Sequence, residues 1–90
     1  MTLKTWTVEI RIQEIDRQTD AEARMVVDDR QGMQGHGTAR CNPADSNVPE
    51  VGDELAAARA LSDLSHRLLD TAIATIEGAS GERVSHIAMG

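Results

Sequence analysis

The stretch Thr38–Leu69, TARCNPADSNVPEVGDELAAARALSDLSHRLL, decides the fold, because it holds the end of one strand, a turn-rich connection and most of the chain's long helix. Val51, Leu55, Ala58, Leu61, Ser65, Leu68, Ala72 and Ile76 recur at steps of three and four, which puts them on one side of a helix. Leu64, Leu69 and Ile73 widen that stripe, and Ala56, Ala57, Ala58 and Ala60 add intrinsic helix propensity. Pro49 suits a first helical position, Glu50, Asp53 and Glu54 complement the positive end of the helix dipole, and Gly78 and Gly81 are natural stops. Gly52 is a point where a short first turn would separate and move the start to Asp53. The spacing predicts a helix over 49–77, roughly 43 Å long at 1.5 Å per residue. A small sheet cannot cover that length, so one end is expected to overhang or to meet a partner.

Working outward, the segment before this stretch reads as the sheet that the helix covers. Trp6, Val8, Ile10 and Ile12 alternate with Thr7, Glu9, Arg11 and Gln13, the period of a strand with one buried face, over about 5–15. Asp16, Arg17, Gln18 and Thr19 read as a turn. A second strand over about 20–28 turns Ala21, Ala23, Met25 and Val27 inward, and Asp28–Gly32 reverses the chain again. A third strand over about 33–41 sets Met33, Gly35, Gly37, Ala39 and Cys41 inside, its two glycines removing bulk beneath the helix. Cross-strand charge selects a register with Arg11 opposite Glu22 and Glu9 opposite Arg24, because a slide by two would set Arg11 against Arg24. The segment 41–49 carries both prolines, Pro43 in the loop 42–48 and Pro49 at its end, with Asn42, Asp45 and Ser46 for local side-chain-to-backbone bonds, and is read as architectural. In the tail, 78–90, Val84, Ile87 and Met89 are too apolar for a solvated end and are the expected dimer contacts. The fold class is therefore α+β, a three-stranded antiparallel β-meander covered on one face by one long C-terminal helix (βββα), as a single domain over 1–90.

Composition narrows the chemistry. Ninety residues with no Phe or Tyr and one Trp make a thin core, for which dimerisation is a natural remedy. A lone Cys41 excludes an internal disulfide and fits a reducing compartment, and neither a signal-peptide core nor a run of membrane-spanning length is present, so a soluble cytoplasmic protein is expected. The formal charge of −6, with Lys4 as the only lysine, opposes nonspecific binding to nucleic acid or anionic lipid.

No catalytic constellation stands out. His36, His66 and His86 fall on a strand, a helix and the tail without metal-ligand spacing, so no metal or cofactor is expected. Cys41 and His36 differ in parity on one strand and point to opposite faces, which leaves Cys41 as a small core residue rather than a nucleophile. Glu54 near the helix start reads as a capping or snorkelling carboxylate. The glycines of GMQGHG, Gly32–Gly37, precede no helix and so lack the setting of a phosphate loop.

The NPAD, VPEVGDELA and ARALSDL segments, with the TWTVEIRI opening, resemble a group of small actinobacterial proteins of unknown function with a double-stranded-RNA-binding-domain-like fold, over nearly the whole chain. That layout is also similar to ribosome hibernation-promoting factors. The resemblance implies a three-stranded sheet packed by a long helix, usually as a homodimer, with some members associated with hypoxia or dormancy, and it carries over no catalytic residue. Double-stranded-RNA-binding domains place lysines at the start of the final helix, where this chain has Glu50, Asp53 and Glu54. The expected function is a non-enzymatic, stress- or dormancy-associated homodimer acting by ribosome or protein contact. Arg11, Arg24, His36 and Arg40 form the candidate interaction surface. The second reading is an RNA-binding module built on the arginines of that face, and a third, a small hydrolase or redox protein, would use Cys41 or a hidden carboxylate pair.

Overall fold

A computed structural model describes residues 1–27, 30–41 and 48–80. Strands β1 (Thr7–Ile15), β2 (Gln18–Val27) and β3 (Arg30–Arg40) precede helix α1 (Pro49–Ser80). The strands form one antiparallel sheet in the order β1-β2-β3, an α+β, βββα layout. Arg11 pairs with Glu22, Glu9 with Arg24, Ile10 with Ala23 and Val8 with Met25, the register that charge matching selects. An irregularity between Arg24 and Val26 shifts the pairing with β3 near its start.

The first reversal is tighter than the sequence suggests. Only Asp16 and Arg17 lie between the strands, both with positive φ (46° and 63°), the two-residue turn whose twist matches that of the flanking strands. β2 accordingly starts at Gln18, and Thr19 is a buried strand residue instead of a turn residue. Parts of the second turn (28 and 29), nearly all of the loop (42–47) and the tail from 81, with Val84, Ile87 and Met89, lie outside the described residues.

The seat of the helix is set by two rows across one face of the sheet, Ile10–Ala23–Gly35 and Ile12–Ala21–Gly37. α1 rests on the glycine end of both. A Cβ added at Gly35 would lie 2.8 Å from the Leu64 Cα and closer still to the Ala60 carbonyl, and one at Gly37 would lie 2.7 Å from the Arg59 Cβ and closer to the Ala56 carbonyl. Helix backbone therefore lies directly on strand backbone. Only small side chains fit beside such a contact, so the buried face of α1 is Ala56 and Ala60, with Leu64 closing the row. The core is Ala21, Ala23, Met25, Ala39, Ala56, Ala60 and Leu64, flanked by Val27, Met33 and Leu68.

This corrects the stripe expected to face inward. Val51, Leu55, Ala58, Leu61, Ala72 and Ile76 are exposed, and Ser65 and Leu68 half-buried, because the glycines admit only the helix face with small residues four apart. Gly52 does not interrupt the helix, which passes close over the Thr19 hydroxyl there. Beyond Ile73 the helix overhangs the sheet, as its length demands.

Two side chains fasten α1 to the outer edge of β3. Arg59 Nη1 donates to the Thr38 carbonyl at 2.7 Å, and the His36 N–H donates to Asp63 Oδ2 at 2.8 Å, with Arg67 Nε donating to the same oxygen at 3.1 Å. The His36 N–H, and then the Arg67 guanidinium, hold the Asp63 carboxyl below its ordinary value.

Gly37→Leu is expected to lower unfolding stability by about 1 to 3 kcal/mol, the usual range for overpacking. An unchanged urea midpoint would show that the helix is not seated on this glycine. Asp63 contributes stability that is present above its unfolded-state pKa of about 3.9 and is lost as pH falls through its lower folded-state value. Asp63→Asn should therefore flatten the loss of stability below about pH 4; identical acid profiles for the two proteins would contradict the contact.

Candidate interaction site

The two edges of the sheet are unlike. His36 and Thr38 direct their backbone groups outward from β3, and both are met by α1 side chains. α1 thus obstructs that edge at the His36 N–H and the Thr38 carbonyl. Backbone direction alternates along and across antiparallel strands, so outward-pointing His36 makes its partner Glu22 face β1, and Arg11, opposite Glu22, bonds inward to β2. Val8, Ile10 and Ile12 then direct their own N–H and C=O groups to the free edge of β1.

The same three residues carry aliphatic side chains on the helix side of the sheet. They were expected to be buried, but α1 packs on β3 and β2 and barely reaches β1. Val8, Ile10 and Ile12 keep 41%, 39% and 44% of their surface exposed, whereas Ala23 beside Ile10 keeps none. The cause is again the glycine pair, which draws the helix toward β3. At 100° per residue, Leu61 lies on the flank of α1 opposite Arg59, which bonds β3, so it borders the β1 side and is exposed there. The helix thus buries Ala21 and Ala23 of β2 and leaves Ile10 and Ile12 of β1 at the surface. Among the described residues, an aliphatic row thus coincides with a sheet edge that no other strand pairs.

The opposite face of the sheet holds the arginine surface read from the sequence. Arg11, Arg24, His36 and Arg40 do share that face, but acidic and amide groups separate them. Arg24 Nη2 binds Glu22 Oε1 at 2.7 Å, and Arg40 Nη2 donates to Gln18 Oε1 at 3.1 Å. Asp20 accepts from Thr38 and Gln18, each at 3.1 Å. A shallow depression lined in part by Arg11, Gln13, Asp20, Glu22 and His36 is of mixed sign. Such a surface lacks the contiguous positive charge that phosphate recognition uses.

Other sequence candidates stand apart. Cys41 follows β3 half-buried, with Arg17 Nη1 3.5 Å from its Sγ, and so sits beside the core rather than in it. His66 Nδ1 lies 2.7 Å from the Ser62 carbonyl on α1, and Glu54 is exposed in the first turns. Among the described residues, three or more His, Cys, Asp or Glu side chains do not converge on a common point. No described helix is long and apolar enough to cross a membrane. What sequence reasoning missed was the open face of β1. The signal was present in the match between Gly35 and Gly37 on β3 and Ala56 and Ala60, four apart on α1.

The overall fold has a solved counterpart. Residues 4–85 match the family described as Rv2632c-like. The uncharacterized protein MT1780 of Mycobacterium tuberculosis is 49% identical over 78 residues, covering 87% of this chain and 82% of its own. The uncharacterized protein Rv2632c of the same species is 44% identical over 82 residues, covering 91% of this chain and 87% of its own. The crystal structure of Rv2632c superposes with a TM-score of 0.81 at 43% identity, over 91% of this chain and 96% of that one. An α1 seated over β2 and β3, a three-stranded meander and identity along nearly the whole length lead to one conclusion: the chain belongs to the Rv2632c-like family.

Proposed function

We propose that this protein is a non-enzymatic homodimer whose work is done by contact with other proteins, and that β1 is the surface through which two copies join. The observation that carries the reading is the coincidence on Val8, Ile10 and Ile12 of exposed aliphatic side chains and free strand edge. Burying the exposed part of such a side chain is worth roughly 1 kcal/mol, and six of them, three per copy, supply a sizeable share of what a small dimer requires. Pairing the edge also removes the open backbone row that would otherwise recruit strands indiscriminately. The resemblance to proteins with a double-stranded-RNA-binding-domain-like fold and to hibernation-promoting factors supplies the setting we propose, a stress or dormancy response in the cytoplasm with a ribosomal or other protein surface as the larger partner. The net charge of −6 and the mixed-sign sheet face favour a protein surface over RNA.

Sedimentation equilibrium at low micromolar concentration tests the assembly. The expected result is a dimer for the unaltered chain and a folded monomer for Ile10→Lys, which buries a charge at the contact. A monomeric unaltered chain would overturn the reading. Submicromolar binding of generic duplex RNA, lost on changing Arg11 and Arg24 to Ala, would favour instead an RNA-binding module built on Arg11, Arg24 and Arg40.

A further inference from the structure

We infer that the two β1 strands pair in one particular register, antiparallel about a two-fold axis through Ile10, so that two three-stranded sheets become one of six strands. This rests on the homodimer reading and specifies the partner surface. In an antiparallel pair, residues directly opposite each other project to the same face, so the register decides both the aliphatic and the charged contacts. With Ile10 opposite the partner's Ile10, Val8 lies opposite the partner's Ile12, and all three aliphatic positions of each strand meet aliphatic partners. These are also the residues whose N–H and C=O groups face outward, so the pairing makes about six backbone hydrogen bonds.

Charge on the other face separates this register from its neighbours. Glu9 lies opposite the partner's Arg11, and Arg11 opposite the partner's Glu9. Within one copy Glu9 is already paired with Arg24 and Arg11 with Glu22. The row therefore runs Arg24, Glu9, the partner's Arg11, the partner's Glu22, alternating in sign from strand to strand across the joint. An axis through Glu9 sets Glu9 against the partner's Glu9, and an axis through Arg11 sets Arg11 against the partner's Arg11. An axis through Ile12 places Ile10 opposite the partner's Glu14, and one through Val8 gives up both charge pairs for Thr5 and Thr7. One register alone satisfies the edge, the aliphatic row and the charges together. It also leaves each helix over its own β2 and β3, with the joined β1 strands as the floor between them.

The experiment is a charge exchange read by sedimentation equilibrium. Glu9→Arg and Arg11→Glu should each dimerise about tenfold more weakly than the unaltered chain, since each sets like charges opposite one another twice. Mixed in equal amounts, the two variants should form a heterodimer in preference to either homodimer, because both cross-pairs are then complementary, and the preference should shrink as salt is raised. Far-ultraviolet circular dichroism establishes that each variant is folded. Independently of charge, in a Cys41→Ser background, Ile10→Cys should form an intermolecular disulfide faster than Glu9→Cys or Arg11→Cys, because only the residue on the axis meets its own copy. No heterodimer preference, or faster cross-linking at position 9 or 11, would overturn the register while a persisting dimer left the homodimer reading standing. A monomeric unaltered chain would overturn both.

Discussion

The contact of helix backbone with Gly35 and Gly37 is the constraint on which the rest of the structure depends. A side chain at either glycine would strike the backbone of α1, so the helix can approach only where β3 offers no Cβ and only with its own smallest residues, Ala56 and Ala60, turned inward. Close approach brings dense backbone packing, but it places the helix axis toward one side of a three-stranded sheet. From that displacement follow a core composed largely of alanine, an outer β3 edge within reach of Arg59 and Asp63, and a first strand that the helix scarcely touches.

The displacement gives the molecule a closed side and an open one. On the closed side, Asp63 and Arg59 of α1 bond the outward His36 N–H and Thr38 carbonyl of β3, which hinders the approach of a further strand there. On the open side, β1 offers an unpaired edge and an aliphatic row at once, while its other face alternates Glu9 and Arg11. Pairing of two copies through β1, as proposed, would use the free edge of each and leave outward only the β3 edges that α1 partly covers.

Much of the fold was legible in the sequence because its signals were local. Alternation from Trp6 to Gln13, charge pairing across the first hairpin and the three-four spacing after Pro49 each depend on neighbours a few residues apart, and each found its element or register. The face of the helix was not legible from periodicity, since α1 has two apolar sides and the bulkier one, through Val51, Leu55, Leu61 and Ile76, carries the stronger pattern. The choice between them is made by Gly35 and Gly37, some twenty residues away in the chain, and a helical stripe considered alone contains no trace of a glycine on another element. Arg11, Arg24 and Arg40 fall on one face of the sheet, as strand parity dictates. Their engagement with Glu22 and Gln18 is a tertiary detail that spacing does not encode. The aliphatic row of β1 was read as core for the same reason that the helix face was misjudged, since a buried strand and a strand with an exposed aliphatic row alternate alike.

The central claim is that the displaced helix leaves β1 open for a second copy, and residue-resolved amide hydrogen exchange at two protein concentrations tests it most directly. The amides of Glu9 and Arg11 bond to β2 within one chain and should be protected at both concentrations. Those of Val8, Ile10 and Ile12 point to the free edge and should be protected at high concentration and exchange rapidly on dilution. Equal, rapid exchange of Val8, Ile10 and Ile12 at both concentrations would contradict the account.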